Sequence, residues 1–114
     1  MIRLAYLRKE NQTVETNYSL KKVWTAVPKV LESLEWSVEE IDDVAHHIKV
    51  KTKAAFMSLS SILLIDVTPV SENVTRLSIA AETPVTTITS IVDFAQGGRR
   101  INLFLSELSK SLVK

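Results

Sequence analysis

The stretch SIVDFAQGGRRINLFLSELSKSLV, residues 90–113, decides the fold. Ile91, Phe94, Gly98, Ile101, Leu105, Leu108 and Leu112 recur at steps of three and four residues. That spacing puts them on one face of a helix. Ser90 can cap its start, and Asp93 suits the positive end of the helix dipole. Gly97 and Gly98 each disfavour a helix by about 1 kcal/mol relative to Ala. Gly98 nevertheless falls on the apolar stripe, where a missing side chain allows close approach to a sheet. One long helix to about Val113 is expected, with a break at the glycine pair as the alternative.

A second helix is expected over 19–34. Leu20, Val23, Trp24, Val27, Val30, Leu31 and Leu34 share one face, with Asn17 or Ser19 as cap. Pro28 removes one backbone hydrogen bond and should bend this helix near Trp24. Between the helices the period changes to two. Strands are expected over 36–41, 46–53, 59–68 and 74–83, with turns at Asp42-Asp43 and over 69–73. Residues 2–17 read as extended, as one strand or as two with a turn at Glu10-Asn11. Residues 84–89 fit either a longer strand or a lead into the last helix. The order is β-α-β4-α. Each helix has one apolar stripe to bury, so both must cover the same sheet face. The expected fold class is α+β, a two-layer sandwich with an antiparallel sheet and two helices on one face.

The chain has 114 residues, which suits a single domain over 1–114. Apolar residues make up 46% and charged residues 24%, so a packed core is expected rather than disorder. Fourteen basic against thirteen acidic residues give +1, which supplies no bulk attraction to nucleic acid. Cys is absent, so disulfides and thiolate chemistry are excluded. Charges interrupt the first nine residues, and no apolar run exceeds four residues, the length of Ile62–Ile65. No membrane span is expected, and a cytoplasmic protein is the simplest reading.

This order resembles the fold of the TATA-box-binding-protein repeat and, in expanded form, of the helix-grip proteins related to the START domain. The segment Thr13-Val-Glu-Thr-Asn-Tyr-Ser-Leu-Lys-Lys-Val-Trp24 looks like the opening of many helix-grip domains, where a strand runs into a helix bearing Val-Trp. The segment Val92–Asn102 is similar to the last helix of small proteins of this fold. The likeness spans residues 12–113 in topology. The chain departs from the larger helix-grip carriers in being shorter, and from the TATA-box factor in lacking a doubled repeat. The resemblance implies a small apolar pocket between the last helix and the sheet. Trp24, Phe94, Gly98 and Ile101 are the candidate ligand-binding residues there.

Other candidates compete with plainer readings. Ile62, Leu64 and Val74, with Ala80, point to the uncovered sheet face and could form a homodimer or partner interface. A helix restart at Arg99 would let Arg99 and Arg100 hold a phosphate or carboxylate; otherwise they are surface groups. Lys49, Lys51 and Lys53, near Arg76, form a basic stripe without aromatics, so nucleic acid is an unlikely partner. Glu39, Glu40, Asp42 and Asp43 read as a solvated hairpin tip rather than a cation site. His46 and His47, as strand neighbours, would face opposite ways and could not chelate one metal together; in a loop they could. No metal and no cofactor is expected. No Ser–His–acid set or phosphate loop stands out, so a non-catalytic binding module is expected.

Overall fold

The structure is a computed structural model. It describes residues 5–53, 61–86 and 96–113, with side chains over 11–53, 61–82 and 99–113. In chain order the elements are β1 (Ala5–Thr16), α1 (Leu20–Leu34), β2 (Ser37–Asp42), β3 (His47–Lys51), β4 (Ile62–Ser71), β5 (Val74–Thr86) and α2 (Gln96–Leu112). The strands form one antiparallel sheet in the order β1-β5-β4-β3-β2. The α+β sandwich expected from periodicity is the architecture found.

The core explains the layering. Val23, Val27, Val30 and Leu31 of α1 join Ile101, Phe104, Leu108 and Leu112 of α2 in one buried cluster. The cluster also takes alternate residues of the sheet: Ile48 and Val50, Leu63 and Ile65, Leu77 and Ile79. A period of two thus meets a period of 3.6 along one sheet face. The opposite parity, including Lys49, Asp66 and Arg76, is half-buried or exposed.

Several local expectations are resolved or corrected. Asn11 pairs with Ala80 and Glu10 with Ala81 in an unbroken register, so no turn interrupts β1. The long β5 supplies a partner along the whole of that strand. Ser19, not Asn17, caps α1, its Oγ accepting from the Lys22 amide at 3.2 Å. Pro28 lies exposed inside an α1 that continues to Leu34. At the helix end Glu35 adopts φ 62°, and the Trp36 amide returns to the Leu31 carbonyl at 3.0 Å. That left-handed closure turns the chain into β2.

The expected turn over 69–73 is shorter. β4 continues to Ser71 and the turn is Glu72-Asn73. Pro69 is tolerated in β4 because pairing with β3 covers only Ile62–Asp66. Beyond Val67, whose amide still donates to the His46 carbonyl at 2.9 Å, that side of β4 has no strand partner among the described residues. The register to β5 slips between Pro69 and Ser71. Residues 84–86 extend β5 opposite Ala5–Leu7, while 87–89 lie outside the described residues. α2 runs through Gly97 and Gly98 without a break. The expected helical turn holding Ser90, Ile91 and Phe94 also lies outside the described residues.

Candidate functional site

Where α2 passes β1, the two leave a cleft of about 240 Å3. Val14, Leu105, Leu108 and Leu112 make its apolar walls, and Val113 also lines it. Thr16, Tyr18 and Ser109 bring hydroxyl groups to the same cleft. The geometry follows from the sequence locally. Val14 pairs with Leu77 and so points to the helix side of the sheet. On α2, Ile101, Phe104, Leu108 and Leu112 are buried, whereas Leu105 sits half-buried on the shoulder. β1 is the outermost strand on this side, so α2 covers it incompletely.

The rim is fixed by the start of β5. Thr75, fully buried, donates from Oγ1 to the Tyr18 carbonyl at 2.7 Å. The Thr16 hydroxyl donates to the Thr75 carbonyl at 3.4 Å. These bonds hold the segment between β1 and α1, and hence Tyr18, against the sheet. A cleft of this size is smaller than the pockets of about 300 Å3 and upward that enclose drug-sized molecules. It suits one or two rings, or a short chain, with a polar group at the rim.

The candidate residues from sequence are placed apart. Ile101 is 1% exposed in the core, and Gly98 is in the first turn of α2. Phe94 lies outside the described residues. Trp24 turns toward the β2–β3 turn. Its indole Nε1 donates to Asp43 Oδ1 at 3.0 Å, and its ring meets the His46 ring edge-on at 5.0 Å. That turn is built by Asp42, whose Oδ1 accepts from the Val44 and Ala45 amides at 2.9 Å each. The two amides hold the Asp42 carboxyl below the usual aspartate range, Ala45 contributing most. Leu105, Val14 and Tyr18 were missed as cleft residues. The expected α2 stripe runs through Leu105, which lies half-buried one residue past the fully buried Phe104.

Arg100 is buried, its Nη1 donating to Ser61 Oγ. Ser61 and Thr52 exchange two further bonds, amide to Oγ1 at 2.8 Å and amide to carbonyl at 2.9 Å. With α2 unbroken, position 100 lies one helical turn before Phe104 and faces the sheet. Arg99 is exposed. The helix restart that an anion site there required is absent, because α2 already begins by Gln96.

Ile62, Leu64 and Val74 do share the sheet face opposite the described helices, but each is half-buried. In register, Ile62 lies between Lys51 and Glu82, and Leu64 between Lys49 and Ala80. The basic stripe is interleaved with acids. Lys49 Nζ lies 3.6 Å from Glu40, Lys53 Nζ 2.6 Å from Glu35, and Arg76 Nη2 2.8 Å from Glu15. Among the described residues no helix is long and apolar enough to cross a membrane.

No protein-family model matches the chain, and no curated protein matches its sequence. Its fold does match solved structures. Norcoclaurine synthase from Thalictrum flavum superposes with a TM-score of 0.71 at 12% identity, over 98% of each chain. That enzyme has also been solved with dopamine and hydroxybenzaldehyde. The Zhui aromatase/cyclase from Streptomyces sp. R1128 gives 0.67 at 11%, over 93% of this chain and 94% of that one. A START superfamily protein from Mycobacterium smegmatis gives 0.64 at 9%, over 91% and 96%.

These matches correct the expectation that the chain is not an enzyme. A synthase and an aromatase/cyclase share its architecture. The missing nucleophile and metal signatures were no ground for exclusion, because a cavity can accelerate a reaction by orienting a bound substrate. Two helices gripping one face of an antiparallel sheet, over nearly the full length of both chains, give this protein the helix-grip fold of the START-related proteins.

Proposed function

We propose that the protein binds a small apolar or amphipathic molecule between α2 and the sheet, in the cleft beside β1. The observation that carries this reading is the cleft itself, walled by Val14, Leu105, Leu108 and Leu112 with hydroxyls at its rim. Burying an apolar ring against such walls is favourable by about 25 cal/mol per Å2 removed from water. Thr16, Tyr18 and Ser109 would orient the ligand through one or two hydrogen bonds. The fold supports the reading, since the matched norcoclaurine synthase holds small aromatic molecules. We assign the ligand a class of one or two rings, or a short chain, bearing one polar group.

The test is isothermal calorimetry with 2-naphthol on the parent protein and on Leu105→Trp. Leu105 is half-buried, so the larger side chain fills the cleft while the core residues Phe104 and Leu108 stay in place. The parent should bind, and Leu105→Trp should bind at least tenfold more weakly with an unchanged circular dichroism spectrum. Equal binding by both proteins, or none by the parent, would overturn the assignment.

A further inference from the structure

The sheet ends at β2, and among the described residues no strand pairs with its outer edge. All six residues of β2 are exposed. The rows of aliphatic side chains that build the core nevertheless run out to it. One row crosses Ile79, Ile65, Ile48 and Ile41, the other Ala81, Leu63, Val50 and Val38. The first three members of each row are buried, whereas Ile41 is 49% exposed and Val38 46%. The bulge between Val38 and Glu40 keeps both on the core face, because it takes Glu39 out of the alternation. Both rows thus end half-open to water.

The same edge is acidic. Residues 30–48 hold six carboxylates and neither Lys nor Arg, in a chain of net charge +1. Lys49 and Lys53 reach Glu40 and Glu35 across exposed pairs, which are weak. Asp42 and Asp43 take their hydrogen bonds from amides and an indole, neutral donors that leave the charge in place. Among the described residues no cation bridges Glu39, Asp42 or Asp43.

We propose that the outer edge of β2 pairs with an extended segment of a partner protein that alternates aliphatic and basic residues. Its backbone would continue the ladder, its aliphatic side chains would extend the rows that end at Ile41 and Val38, and its basic ones would meet the carboxylates. The inner edge of β2 already holds such a strand. There β3 sets Ile48 beside Ile41, Val50 beside Val38 and Lys49 beside Glu40. A second copy of this chain is disfavoured, because β2 against β2 brings carboxylates together. The same charge repels nucleic acid and anionic membranes.

The probe is a fluorescein-labelled nine-residue peptide alternating Lys and Val. One control replaces every Lys by Glu. The other carries N-methyl groups on all its backbone amides, which keeps side chains and charge but removes every ladder donor. Anisotropy should show the probe binding at least tenfold tighter than either control, and weakening between 50 and 300 mM salt. In hydrogen exchange the probe should slow the amides of Ser37–Asp42. The double variant Glu39→Lys/Glu40→Lys should bind the probe at least tenfold more weakly. Both residues are exposed and neither lines the inner cleft, so its circular dichroism spectrum and 2-naphthol binding should be unchanged. Equal binding of the probe and either control, or full binding by the double variant, overturns the proposal. So does protection of the β2 amides that rises with protein concentration in the absence of peptide, the mark of self-pairing.

Discussion

At the scale of single residues, polar groups here do local structural work that composition hides. Asp42 and Asp43 read as turn formers, and both are, by different routes. Asp42 ties down two amides, while Asp43 takes the indole proton of Trp24. That second bond draws Trp24 away from the ligand role expected of it. No local pattern reports it, because the partners are 19 residues apart. Asp42→Ala should lower the melting temperature at pH 7. The folded-state pKa of Asp42 is depressed, so its contribution is present above the unfolded value of about 3.9 and fades as pH falls through the lower folded value. Melting curves should therefore show the gap between variant and parent closing below about pH 4. A gap that widens in acid would contradict this role.

At the scale of elements, periodicity located α1, α2, β3, β4 and β5, because burial of one face enforces it, whereas β2 is exposed along its whole length and was legible through its hairpin turn. Ile48 and Val50, Leu63 and Ile65, Leu77 and Ile79 were legible as inward pairs, and each is buried. Boundaries were less legible. β4 runs on to Ser71 because β5 pairs with it past the end of β3, and Pro69 alone does not report that. Pro28 is the locally unfavourable residue of α1. It leaves the Trp24 carbonyl without its helical amide, yet tertiary burial of Val23, Val27 and Val30 keeps the helix whole. Pro28 is exposed, so Pro28→Ala restores that bond without disturbing the core. The substitution should stabilise the protein by about 1–3 kcal/mol, read from urea unfolding. A lower midpoint would mean that the ring is needed for the packing of α1.

At the scale of the whole molecule, one cluster of side chains joins both helices to the sheet, and Phe104 lies fully buried within it. Phe104→Ala should cost about 3–5 kcal/mol, and urea unfolding should stay a single transition. Two transitions would show that the helices and sheet do not share a core. The fold class was legible because this burial pattern is written in α1, α2, β3, β4 and β5. The resemblance implied a pocket between the last helix and the sheet, but its lining was not legible, since the cleft arises where α2 leaves the edge strand β1 partly uncovered, a matter of helix placement rather than spacing.

The central claim is that the space between α2 and β1 is a ligand site. Methyl NMR spectra recorded during 2-naphthol titration test it most directly. Saturable shifts should concentrate on Val14, Leu105, Leu108 and Leu112, which wall the cleft, and leave Ile62, Leu64 and Val74 on the opposite face unmoved. Shifts confined to that opposite face, or none at saturating probe, would contradict the account.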